Sequence, residues 1–236
     1  MLPGMPKNGL KILNIRMKKF FVIFFLGGFY PGDAQQSPGS GTWLSFQAPV
    51  NFLKHWQWHN DAGYRTLGVS VLPLQYLYRT GLRYNFNLKV NAAAGVAFFF
   101  TKADYDKSHH DFGYEFRIWQ EGNYQSAVKG PYKWQGRVRT EQRFFASSGG
   151  KPAYQAHRFR LRTALIRQVT SDLSLQVAVE YMQQMVSRKI SFDQNRTMIS
   201  VIRKLNSTIL LQGGYMWLHK PADDQHIITI SFIKNI

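Results

Sequence analysis

The sequence predicts an all-β chain, an antiparallel up-and-down transmembrane β-barrel of about 10–12 strands with a polar, Arg/Glu-rich lumen. Three observations carry this. Strand-like segments follow one another from Gly41 onward without helical periodicity. Most run roughly 9–14 residues, about twice a soluble strand and close to what a tilted membrane strand requires. Charged and apolar side chains also alternate, giving each strand an ionic and an apolar face. The stretch Trp134–Arg167 shows this best: Arg137, Arg139, Glu141 and Arg143 share one parity, which Arg158, Arg160 and Arg162 repeat after a Gly-rich gap. Val138, Thr140, Phe144, Phe159, Leu161 and Leu165 occupy the other.

Taken in order, the chain begins with an address. Met17-Lys18-Lys19, the apolar run Phe20 to Tyr30 and Pro31-Gly32-Asp33-Ala34-Gln35 read as the three regions of a cleaved export signal. The true start is expected at Met17 and cleavage after Ala34, so 1–34 is a signal peptide and 35–236 a single barrel domain. The apolar run falls short of the roughly 20 residues of a spanning helix. An exported domain with no cysteine cannot rely on disulfides. Closing a sheet on itself is another way to hold it together, because no unpaired edge remains.

The formal net charge is +17, and removing residues 1–34 takes away five Lys/Arg and one Asp, leaving +13. Nucleic acid is the usual partner of a basic chain. Here the arginines are alternating singletons within apolar strands, so no nucleic-acid partner is expected.

Strands are expected at about 42–50, 56–66, 75–85, 88–101, 112–124, 133–144, 156–168, 173–185, 193–203, 207–219 and 225–234. Tight links at Asn85-Phe86-Asn87, Val169 to Asp172 and Lys204-Leu205-Asn206 alternate with longer polar ones at 67–74, 102–111, 145–155, 186–192 and 220–224. Short turns at one end and long loops at the other mark an outer-membrane barrel. These segments number eleven, whereas bacterial barrels have even counts. A missed break within 103–133 or a misread segment at Thr42 is therefore expected. Trp43, Trp56, Trp58, Tyr84, Trp134, Tyr215 and Trp217 lie near strand ends, where aromatic girdles sit.

The polar parity collects Asp61, Arg65, Arg79, Arg83, Glu115, Arg117 and Glu121 in the first half. The second half adds Arg137, Arg139, Glu141, Arg143, Arg158, Arg160, Arg162, Glu180 and Arg196. These are eleven arginines, five carboxylates and no lysine. Buried in a dry sandwich core, so many unpartnered cations would cost several kcal/mol each. A wet lumen solvates the excess, and the arginine fork pairs bidentately with carboxylates.

The runs Glu115-Phe-Arg-Ile-Trp-Gln, Arg137-Val-Arg-Thr-Glu-Gln-Arg, His157-Arg-Phe-Arg-Leu-Arg and Phe192-Asp-Gln-Asn-Arg resemble the exported family catalogued as domain of unknown function 2490. The resemblance covers nearly all of 43–236 and implies an outer-membrane barrel of unassigned activity.

The ionic face carries two expectations: an Arg/Glu network that fills a narrow barrel, and an anion-permeable or anion-binding pore. Outer-membrane lipid and small anionic solutes are the expected partners, with no catalytic residue, metal or cofactor. An omptin-like protease is the enzymatic alternative, with Asp104-Tyr105-Asp106 and Asp224-Gln225-His226 as its loop acid/base pairs. A soluble periplasmic ligand-binding barrel is the non-membrane alternative. His109-His110-Asp111 reads as loop polarity, since adjacent histidines in an extended segment point apart.

Overall fold

A computed structural model describes residues 39–66, 68, 72–102, 112–127, 130–148 and 150–236. The expected signal peptide, Asp104-Tyr105-Asp106 and His109-His110-Asp111 lie outside the described residues.

The described residues form strands without helices. They are β1 (Ser40–Gln47), β2 (Val50–Leu53), β3 (Trp56–Thr66), β4 (Pro73–Asn85), β5 (Val90–Lys102) and β6 (Phe112–Ala127). The second half adds β7 (Tyr132–Phe145), β8 (Tyr154–Gln168), β9 (Leu173–Val186), β10 (Lys189–Lys204), β11 (Ile209–His219) and β12 (Asp224–Lys234). From β3 to β12 each strand pairs antiparallel with the next. β1 closes the ring by pairing with β3 on one side and β12 on the other.

The closed barrel therefore has eleven strands, with β2 outside the ring. The expectation of purely antiparallel pairing is corrected at one seam, where β1 and β12 run parallel from Ser40↔His226 to Gln47↔Ile233. An up-and-down path with an odd number of strands brings its first and last strands back pointing the same way. No further strand occurs among the described residues of 103–133, where β6 runs unbroken into the link before β7.

The irregularity at the N-terminal segment arises at Pro49. β2 keeps the register of β1 against β3, with Gln47↔Asp61 followed by Val50↔Trp58. Proline has no N–H to give to a ladder and interrupts the strand there. The Ile236 N–H donates to the Pro49 carbonyl (3.0 Å) and the Asn51 N–H to the Ile236 carbonyl (3.0 Å), extending the parallel seam.

Short links at 54–55, 86–89, 169–172 and 205–208 gather at one end, the turn end, where β6 ends and β7 begins. Side chains there substitute for the ladder: Asn87 Oδ1 accepts the N–H groups of Lys89 (2.8 Å) and Val90 (2.9 Å). Asn206 Oδ1 does the same for Thr208 and Ile209, both at 2.9 Å. At the opposite, loop end the expected long link 186–192 is corrected to a two-residue turn. Ser187 (φ 49°) and Arg188 (φ 65°) both take the left-handed conformation of a type I′ hairpin without the Asn-Gly pair that usually signals one.

The core is the lumen. Ala93, Ala97, Phe99, Trp119, Met182 and Met216 are buried inside, whereas Leu82, Val138, Phe159, Leu161, Leu165, Val177, Ile199 and Ile228 are exposed outside. Aromatic pairs cap this apolar exterior at both ends: Trp56–Tyr84 (4.9 Å) and Tyr124–Trp134 (5.4 Å) at the turn end, Tyr64–Tyr76 (5.3 Å) and Phe100–Tyr114 (5.5 Å) at the loop end. One expected girdle residue is corrected: Trp43 turns into the lumen, on the parity of Ser45 and Gln47, while Leu44 and Phe46 face out.

Candidate functional site: an arginine-lined lumen

All sixteen residues of the ionic parity line one interior cavity of about 1060 Å³. Antiparallel register explains how they meet. Glu121 lies opposite Arg139 and Glu141 opposite Arg158, while Glu180 lies between Arg162 and Arg196. The same register also sets Arg117 against Arg143, Arg139 against Arg160 and Arg137 against Arg162. Like charges directly opposite destabilise a sheet, so the carboxylates must bridge them diagonally.

They do. Glu115 takes Arg117 Nε (2.6 Å) and Nη2 (2.8 Å) together with Arg143 Nε (2.5 Å). Glu141 accepts from Arg160 (2.7 Å) and Arg117 (3.2 Å), with Arg139 at 3.7 Å and Arg158 at 3.8 Å. Glu180 holds Arg160 through both oxygens at 3.0 Å and takes Arg137 at 2.5 Å, with Arg196 at 3.7 Å. Glu121 pairs with Arg139 and lies 3.7 Å from Arg83; Asp61 pairs with Arg79.

A sixth carboxylate joins these: Asp193 lies 2.8 Å from Arg158. It falls on the opposite parity to Arg196 in sequence, but the ladder slips between Phe192 and Gln194, and a bulge of that kind re-aims a side chain. Eleven arginines still outnumber six carboxylates. Among the described residues Arg65 and Arg162 have no carboxylate partner, and they donate instead to Gln75 (2.7 Å) and Gln176 (3.4 Å).

Guanidinium groups also rest on interior aromatic rings. Arg117 lies 3.6 Å from the centre of Phe99 and Arg139 5.0 Å from that of Trp119. Arg65 (3.7 Å) and Arg196 (4.9 Å) both lie over Trp43. Trp119 is 1% exposed, covers the facing pair Gly81 and Gly95, and donates its N–H to the Val96 carbonyl (3.1 Å). A second apolar patch of Met216, Leu218 and Ile227 packs with Trp43 and Met198.

The lysine-free interior expected from the strands is corrected at the mouth, where Lys102 at the end of β5 joins Lys151 and Lys220 in the lining at the loop end. In its loop, Lys220 has an ammonium group held below its usual range by burial, with Asp223 acting in the opposite direction.

The other sequence candidates are not brought into the lumen. Asp224-Gln225-His226, expected in a loop, opens β12 instead, and only Gln225 lines the cavity. Asp224 meets His219 at 2.5 Å and His226 meets the Tyr215 hydroxyl at 2.5 Å, both pairs exposed. Among the described residues no group of three or more His, Asp or Glu is arranged to hold a metal ion.

Fold and lumen together define a closed β-barrel protein with an ion-paired interior. The model of the family described as "protein of unknown function (DUF2490)" matches residues 40–226, and the chain belongs to that family. No curated protein matches it.

Proposed function

We propose that this protein is a non-catalytic outer-membrane barrel whose lumen binds and passes small anions. The observation that carries the reading is the uncompensated positive charge of the lumen, eleven arginines against six carboxylates, with Arg65 and Arg162 lacking an acidic partner. A buried charge without a counterion is costly, so mobile anions complete the balance, as rings of arginine do in anion-selective pores. The location is supported by the apolar exterior, since soluble monomers rarely expose contiguous apolar patches beyond a few hundred Å².

Purified protein in planar bilayers under a KCl gradient should give a reversal potential on the chloride side, and Arg65→Gln with Arg162→Gln should reduce that preference. Absence of conductance, or an anion preference that survives the double change, removes the pore. Cell fractionation tests the location: the protein should require detergent for extraction, and recovery in the soluble periplasm would sink the membrane reading.

A further inference from the structure

The arginines of the lumen fall into two groups by exposure. Among those paired with carboxylates, most keep only 3–12% of their side-chain surface free. Arg79, Arg83 and Arg137 keep 22%, 26% and 21%. Arg162 is also half-buried and has no carboxylate. Glu121 links Arg83 to Arg139, Arg137 stands two residues along β7 from Arg139, Arg162 faces Arg137 in register, and Arg79 is held by Asp61. The carboxylates lock the more buried arginines, Arg65 is held apart by Gln75 and Trp43, and this group keeps side-chain surface free on the cavity.

The facing wall differs in kind. Four barrel strands separate β7 from β1 in one direction and five in the other, so Arg137 and Arg162 look across the lumen toward β1 and its neighbours. On β1, β11 and β12 that wall carries no charge on its inward parity at this level; Asp61 of β3 stands opposite Gln47 and is paired with Arg79. It presents Ser45, Gln47, Ser231 and Gln212, all half-buried and all lining the same cavity. Ser45 donates to Ser231 (2.7 Å) and Gln212 to Ser200 (2.9 Å), so hydroxyl and amide groups remain to bond a guest. Arg83 lies near the end of β4, Gln47 ends β1 and Gln212 is close to the start of β11, which places the region in the turn-end half.

We infer that the turn-end half of the lumen is a seat for a hydroxylated oxyanion, a phosphorylated sugar or polyol, with its charged head on Arg79, Arg83, Arg137 and Arg162 and its hydroxyls on the Ser45–Ser231 wall. Arginine forks match phosphate bidentately, and a site built to bond hydroxyls rejects analogues that lack them. The inference rests on the reading of the lumen as an anion site and names its preferred ligand.

The test is calorimetric titration of the full barrel in nanodiscs of zwitterionic lipid with glucose 6-phosphate, inorganic phosphate and glucose. Glucose 6-phosphate should bind at least tenfold tighter than phosphate, and glucose should give no heat. Arg162→Gln should weaken glucose 6-phosphate at least tenfold, and Ser45→Ala with Ser231→Ala should bring it down to the affinity of phosphate. If that double variant does not assemble, Gln212→Leu is the second probe of the same wall. Equal affinity for the two phosphates, or sugar-phosphate binding that survives the wall variants, overturns the seat. A barrel that conducts chloride but shows this equality loses only the seat. One that binds glucose 6-phosphate as stated but conducts nothing loses only the passage.

Discussion

Replacing Glu141 with alanine should lower the unfolding temperature of the detergent-solubilised barrel more than any other single charge removal. Glu141 is 3% exposed and lies among Arg117, Arg139, Arg158 and Arg160. Each of the four retains another carboxylate, Glu115, Glu121, Asp193 and Glu180 respectively, so the network does not lose its connections. What it loses is the negative charge at its middle, which raises the imbalance where water has least access. Breaking a buried ion pair from one side costs about 3–5 kcal/mol, and in a barrel of this length each kcal/mol corresponds to roughly 2–4 °C. Thermal melting followed by circular dichroism of the sheet measures it. Glu141→Gln, which keeps the shape and two polar atoms, should fall between the two. A melt of Glu141→Ala that matches the parent would show that the arginines hold the barrel without it.

A comparable loss is expected from one methyl group. At Gly95 an added Cβ would stand 2.1 Å from the Thr80 carbonyl oxygen, 2.5 Å from Gly81 Cα and 2.7 Å from the Trp119 ring. Two of the three obstacles are backbone of the neighbouring strand, so no rotamer relieves them. β4 and β5 would have to separate where the indole presses on both. Overpacking usually costs about 1–3 kcal/mol, occasionally more, and the backbone contacts put Gly95→Ala at or above the top of that range. Refolding from urea into micelles should give a markedly smaller folded fraction, and Trp119→Leu should not rescue it, because the Thr80 carbonyl stays in place. Refolding equal to the parent would show that the strands are free to part there.

The faces of the strands were legible in the sequence because a period of two survives wherever the ladder is regular. That is why all sixteen ionic residues, from Asp61 to Arg196, line the lumen. Where the ladder slips, parity fails: Asp193 sits at the irregularity of β10 and reads as outward-facing by count. Trp43 was misplaced for another reason. Its position near a strand end suggested a girdle, although Ser45 and Gln47 on its own parity already pointed inward. The hairpin at Ser187-Arg188 lacks the residues that normally tolerate positive φ, so nothing local marked it. The strand count of eleven was readable, but its consequence was not, since the pairing of β1 with β12 joins residues at opposite ends of the chain and leaves no local periodicity.

That parallel seam also decides where the chain can be cut and rejoined. In an even-stranded barrel the first and last strands finish side by side at one rim, and a few residues join them into a circle. Here Ser40 stands at the loop rim and Ile236 at the turn rim, on either side of the apolar exterior of the barrel. A circular permutant would need a connector running the full height of the wall, through the lumen or along the outer face. Reporters joined at Ser40 and Ile236 would, for the same reason, stand at opposite rims of the barrel.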